Sequence, residues 1–197
     1  LKEIAAGEEE ACEKLMYALV LSGLAMQMTG NSRPASGAEH HLVHLWDMEV
    51  VNGHLDALHG EKVSAGTMLV LLEYKKIADA IRKGNCKVHT CTEEDRELLQ
   101  STFGKKGILG AIEKENTPEL LDDVSTKELS DTLPGILKII DALPAVTDMQ
   151  EMMNTAGCVS RVRDIGLPGE VIEESLRLAP YTRRRLSLLR LRKMLTY

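Results

Sequence analysis

Five of the six histidines, His40, His41, His44, His54 and His59, fall within twenty residues of one another. Imidazole is a common ligand for divalent transition ions, and it is also the side chain that exchanges protons near neutral pH. On a helix, His40 and His44 stand four residues apart and share one face, with Cβ atoms roughly 6 Å apart. Such a pair can ligate one ion, or divide the work between a metal and an oxygen of a metal-bound substrate. His41 projects about 100° away from His40 and cannot share that face without distorting the helix. His59 stands at the expected start of the next helix, directly before Gly60, where chain reversal would bring it back against His40.

A catalytic zinc-type site uses three protein ligands and keeps a position open for water or substrate. His40 and His59 supply two nitrogens. The local candidates for a third are Glu39, Asp47, Asp56 and Glu61, or a residue of another domain; Glu39 and Glu61 adjoin the histidines and are expected to point elsewhere. The ligand count therefore describes an incomplete site. Against this stands the ordinary role of a helical histidine, a solvated or hydrogen-bonded polar residue, and spacing alone does not decide between the two.

Other reactive residues read as structure. Cys86, His89 and Cys91 fit no zinc spacing and are expected in a polar surface loop spanning 84–92. Arg183, Arg184, Arg185, Arg190, Arg192 and Lys193 could meet phosphate or an acidic partner. They read first as the solvated face of a terminal helix whose Leu188, Leu191 and Leu195 pack inward. Arg33 and Ser36 flank the histidine helix and are candidates for a substrate phosphate, with loop structure as the alternative. The methionines, Met26 and Met153 among them, read as core or interface filler.

The elements that must position these groups read as helices joined by Gly/Pro loops. Leu15, Leu19, Ser22 and Met26 recur at helical spacing and predict an amphipathic helix over 2–29. The stretch 30–37, Gly-Asn-Ser-Arg-Pro-Ala-Ser-Gly, breaks it. A second helix is expected from Ala38 to Asn52 or Asp56, and a third from His59 to about Lys83, with Val63, Val70, Ile77 and Ile81 among its apolar positions. The apolar run Met68–Leu72 belongs to that helix rather than to a buried strand. Thr92, followed by Glu93 and Glu94, has the form of an N-cap, and Ser125-Thr126-Lys127-Glu128 that of a capping box. Further helices are expected over 118–123, 127–141, 145–156, 168–179 and 182–195, with Pro134, Pro144, Pro168 and Pro180 marking breaks or first turns. With no sustained period-two pattern, no Gly-x-Gly-x-x-Gly and no P-loop, the fold class is all-α and no nucleotide site is expected in this chain.

Composition narrows the function classes. A length of 197 residues suits one domain with a real core, and 44% hydrophobic residues exclude disorder. A net charge of −6 and 3% aromatics argue against nucleic acid. No apolar run approaches the roughly 20 residues that a bilayer helix needs. Four scattered cysteines suggest reduced thiols in a cytoplasmic protein. The chain opens at Leu1, which fits a piece of a longer protein.

At the histidines the sequence resembles a known family. Ser22-Gly23-Leu24-Ala25-Met26, the stretch from Gly30-Asn31-Ser32-Arg33-Pro34-Ala35-Ser36-Gly37 through His40 to His44, and His59-Gly60-Glu61 through Gly66 are similar to the signature of sn-glycerol-1-phosphate dehydrogenases. These share a superfamily with glycerol dehydrogenase, iron-dependent alcohol dehydrogenases and dehydroquinate synthase. The Ser-Arg-Pro-Ala-Ser-Gly-x-Glu-His stretch separates the glycerol-1-phosphate enzymes from those relatives. The resemblance implies that His40 and His59 are metal ligands, that His44 contacts substrate as the catalytic histidine, and that the third ligand is an aspartate in a part of the family's chain not present here. It implies zinc or nickel, NADH or NADPH bound by an N-terminal nucleotide-binding domain also not present, and reduction of dihydroxyacetone phosphate to glycerol 1-phosphate. Residues 1–197 would then be the family's C-terminal helical metal-binding domain, inactive alone and part of a homo-oligomer. A glycerol dehydrogenase-like enzyme and a non-enzymatic helical assembly domain are the alternatives.

Overall fold

A computed structural model describes residues 1–91 and 95–197. Its order is α1 (Lys2–Ala5), α2 (Glu9–Thr29), α3 (Ala38–Asp47), α4 (His59–Arg82), β1 (Lys87–Val88), α5 (Asp95–Thr102), α6 (Leu109–Glu115), α7 (Thr126–Asp141), α8 (Val146–Thr155), α9 (Ile172–Leu178), α10 (Leu188–Leu191) and β2 (Leu195–Thr196), joined by short 3-10 turns. The fold is all-α as expected, with one two-residue antiparallel ladder between β1 and β2. Among the described residues no helix is long and apolar enough to cross a membrane.

The long helix α4 organises the rest, packing against α3, α7 and α8. Its bounds match the sequence reading, and Met68, Leu69, Val70 and Leu71 are helical and buried. Glu61 fixes its start by accepting the Leu58 amide at 2.7 Å. Leu42, Leu45 and Trp46 of α3, Ala65 and Leu69 of α4, Phe103 and Leu176 form the main core, and the Trp46 indole N–H reaches Ser175 Oγ at 3.1 Å. Ile77, Leu129, Leu133, Met194 and Leu195 form a second cluster. Ser125 caps α7 as its sequence foretold, accepting the Glu128 amide at 3.3 Å. Lys75 crosses from α4 to the other end of α7 and donates to the Ile140 and Leu143 carbonyls at 2.9 and 3.1 Å.

Several expectations are corrected. The helix over 2–29 is split by a turn at 6–8, and its apolar stripe is not buried: of α2 only Ala11 is fully covered. The histidine helix stops at Asp47, where Glu49 adopts a left-handed backbone (φ 51°) paired to His54 at 3.0 Å. The polar loop over 84–92 contains β1, whose partner β2 lies more than a hundred residues away. No helix covers 118–123; Glu119 and Leu121 both turn inward, to Arg190 and to the second core cluster, and an i, i+2 pair cannot do so on a helix. Pro134 does not break α7 but sits inside it, on the exposed side where water can satisfy the carbonyl it leaves free. The N-cap expected at Thr92 lies outside the described residues.

The terminal helix over 182–195 is also not formed as expected. Residues 183–187 are irregular, α10 restarts under a Ser187 cap, and the cations turn inward. Arg190 is 1% exposed and donates to Glu119 at 2.7 Å, to Asn116 at 2.6 Å and to the Pro180 and Arg183 carbonyls. Arg192 reaches Glu73 and Glu173, each at 2.6 Å, and Lys193 bonds Tyr181 and faces Asp95 at 3.2 Å. Buried carboxylates and not solvent therefore set this segment's path.

Candidate metal centre

The amphipathic character of α3 sorts its histidines. His41 shares the buried side with Leu42 and Leu45, while His40 and His44 are half-buried on the open side. His59 opens α4 and is exposed. What brings His59 back is a close helix approach: a Cβ on Gly66, two turns along α4, would lie 3.1 Å from the Glu39 carbonyl of α3. The His40 and His59 rings stand 5.6 Å apart between centres, tilted by 52°, and His40 and His44 stand 6.5 Å apart. His54 lies outside this group, exposed and paired to Glu49.

Two imidazoles that bond one ion at about 2.0–2.1 Å with a tetrahedral angle have ring centres about 5 Å apart. The His40–His59 pair fits that spacing. The tautomer fits as well: Nδ1 of His40 is 2.8 Å from Oε1 of Glu39, a carboxylate that accepts the ring proton and leaves the Nε2 lone pair free. Glu39 also accepts the Gly37 amide at 2.7 Å. Burial pushes the Glu39 carboxyl up, but hydrogen bonds from His40 and Gly37 outweigh it and hold the group below its ordinary value. A Cβ on Gly37 would lie 2.7 Å from Glu39 Oε2, so the missing side chain gives this carboxylate its room.

Of the other local acids, Asp56 is exposed and two are engaged elsewhere. Asp47 pairs with Lys62 at 2.8 Å, and Glu61 is spent on the start of α4. Among the described residues no three His, Cys, Asp or Glu side chains converge on one point. Cys86 packs with Cys91 and Val88 against the second core cluster, and His89 turns its Nδ1 to the Thr90 carbonyl at 2.9 Å.

Two residues near the histidines have places that the sequence reading did not give them. Glu39 was expected to point elsewhere; it points away from the open face but onto His40. Its place beside His40 in the first turn of α3 was the available signal. Arg183 lies with its guanidinium 3.5 Å from His44 Nε2, held by its own bond to the Thr182 carbonyl and by Arg190 on its backbone. Burial, Arg183 and His40 all lower the His44 pKa, which favours the neutral ring. Nothing local in the sequence could have shown the Arg183 contact, since it joins residues 139 apart.

No family model matches the chain, and no solved structure matches it. Among curated proteins it is similar to a glycerol-1-phosphate dehydrogenase, NAD(P)+, of Halalkalibacterium halodurans, 34% identical over 188 residues, which cover 95% of the chain and 39% of the relative. The protein of that name from Geobacillus stearothermophilus is 28% identical over 180 residues, 91% of the chain and 37% of the relative. The one from Pyrococcus horikoshii is 41% identical over a shorter match of 80 residues, 39% of the chain and 22% of the relative. The chain thus spans about two-fifths of the length of the first two.

Proposed function

The chain belongs to the glycerol-1-phosphate dehydrogenase family, and from that membership we propose that residues 1–197 are the metal- and substrate-side helical domain of an enzyme that reduces dihydroxyacetone phosphate to sn-glycerol 1-phosphate. The observation that carries this reading is the convergence of His40 and His59, with Glu39 behind His40. A bound divalent ion, zinc or nickel, supplies Lewis-acid polarisation of the substrate carbonyl, and NADH or NADPH, bound outside this chain, supplies hydride.

The chain's own residues do the positioning. His40 and His59 hold the ion, with the third ligand outside residues 1–197. Glu39 keeps the proton on Nδ1 of His40 and so keeps Nε2 available. His44, one helical turn beyond His40, hydrogen-bonds the substrate oxygen; its neutral ring can take the hydroxyl proton when glycerol 1-phosphate is oxidised, and in the reduction it relays to that oxygen a proton drawn from solvent. Arg183 orients that ring and adds positive charge where the product alkoxide gathers its negative charge. The reading takes the enzyme as a cytoplasmic homo-oligomer.

The test is a zinc and nickel titration of the 197-residue chain. Binding should weaken by at least about tenfold in His40→Ala and in His59→Ala, as expected for loss of one of two ligands. Unchanged affinity in both variants would remove the ligand assignment. The chain alone should not oxidise NADH with dihydroxyacetone phosphate, and turnover by it would overturn the proposed division between domains. In the complete enzyme, dihydroxyacetone phosphate should be reduced far faster than dihydroxyacetone; equal rates would move the reading to the glycerol dehydrogenase branch.

A further inference from the structure

Apart from the Gly37 amide on Glu39, the Ser-Arg-Pro-Ala-Ser-Gly stretch takes no part in the histidine site, yet its Arg33, Ser36 and Gly37 line a cavity of about 420 Å³ with Ala38, His41, Arg184, Arg185 and Ser187. Three features of that cavity point to one ligand chemistry. The first is charge: Arg33, Arg184 and Arg185 line it, and Glu39, bonded to the Gly37 amide of its wall, is the one carboxylate counted against them, so the formal local balance is +2. The second is the helix end itself. The cavity is walled by Gly37 and Ala38, the N-cap and first residue of the ten-residue α3, whose N-cap side chain supplies no hydrogen bond. Glu39 takes the Gly37 amide, and the helix dipole with the first-turn amides beyond it favours an anion there.

The third feature is His41. It lines the cavity, is 1% exposed, and neither ring nitrogen has a hydrogen-bond partner among the described residues. A buried imidazole with both nitrogens unpartnered is costly unless something outside the protein meets it. An imidazole carries at least one N–H in either protonation state, so the ring has a donor to offer an oxyanion. Arg185 bonds Ser36 O at 2.6 Å and Ser32 Oγ at 3.0 Å, which fixes the loop that forms the rim.

We propose that this cavity is an oxyanion site for a phosphate group, held by Arg33 and Arg185, the N-terminal amides of α3 and the His41 N–H. The shared chemistry is that of a phosphomonoester or inorganic phosphate dianion, which the +2 balance matches. If the ligand is the phosphate end of the three-carbon substrate, the inference rests on the function proposed above; if it is free phosphate, it does not.

The experiment is a calorimetric titration of the metal-free 197-residue chain with inorganic phosphate, followed by ring ¹H–¹⁵N spectra of its histidines. Saturable binding with a shift of the His41 ring signals is expected, and glycerol should not compete. Arg33→Gln, which changes an exposed side chain, should raise Kd about tenfold, the loss of one charge-assisted hydrogen bond. Arg185→Gln should do at least as much. Displacement of phosphate by glycerol 1-phosphate identifies the substrate's phosphate end as the ligand; failure to displace it identifies free phosphate, and both support the site. No saturation by folded protein, or equal affinity in wild type and both variants, overturns it. His40→Ala with His59→Ala should leave phosphate affinity unchanged, so failure of the metal assignment and failure of this one are separable.

Discussion

Glu39 performs two tasks in the first turn of α3. Its carboxylate caps the Gly37 amide and accepts the His40 ring proton, so one group starts the helix and sets the tautomer of the candidate ligand. Removing its charge while keeping its shape should act on the metal and not on the fold. In Glu39→Gln we expect zinc affinity to fall about 10- to 100-fold, the usual loss when a ligand histidine's carboxylate partner is changed, with the helical circular dichroism unchanged. A chelator-competition titration checks this, and wild-type affinity in the variant would detach Glu39 from the site. The histidine positions themselves were legible in the sequence, because a four-residue spacing places two rings on one helix face whatever else the chain does. The burial of His41 and Arg190 was not legible. A basic residue near a chain end looks solvated until the acids that draw it inward, Glu119 for Arg190 and Glu73 for Arg192, are located in space.

The C-terminal segment shows the same effect for a whole element. Between Arg183 and Tyr197 regular structure is short, and what fixes the path is a set of ion pairs and hydrogen bonds: Arg192 and the Tyr197 hydroxyl on buried Glu73, and Lys193, Arg177 and the Tyr181 hydroxyl on Asp95. Burial pushes both carboxyls up. For Glu73 the bonds from Tyr197 and Arg192, and for Asp95 those from Arg177 and Lys193, outweigh it, so both groups are held below their ordinary values. A carboxyl lowered in the folded state adds stability that is complete above its unfolded value and is lost as pH falls through the folded one. Urea unfolding midpoints should decline gently below about pH 6.5, where the unfolded chain protonates His41 and His44 and the folded chain resists it, and should fall more steeply below about 4.5, the ordinary Glu73 value. The decline should be shallower in Glu73→Gln with Asp95→Asn; an identical acid profile would show that these pairs do not hold the segment. Helices with local signals, α4 with its Glu61 and α7 with its Ser125 cap, were readable within a residue or two. The β1–β2 ladder, the turn at 118–123 and the broken terminal helix were not, because each is decided by a partner distant in sequence.

At the scale of the molecule, α2 is out of place as a surface helix. Leu15, Met16, Tyr17, Leu19, Val20, Leu21, Leu24 and Met28 are all exposed, from 40% at Leu15 to 88% at Met28. Consecutive residues such as Leu19, Val20 and Leu21 point in different directions around a helix, so this apolar surface is not one stripe but most of the circumference. A helix apolar all round is normally enclosed by its protein. No helix among the described residues, α2 included, is long and apolar enough to span a bilayer. A two-fold contact with a second copy would cover one side and leave another open. The 197-residue chain should therefore associate beyond a dimer as its concentration rises, and it should bind a hydrophobic dye such as ANS. Tyr17→Glu with Leu19→Lys puts opposite charges on two faces of α2 without touching α3 or α4, and it should reduce both association and dye binding while zinc and phosphate titrations keep their wild-type midpoints. Light scattering that reports a monomer at every concentration, together with no dye signal, would mean that α2 is covered by the chain itself.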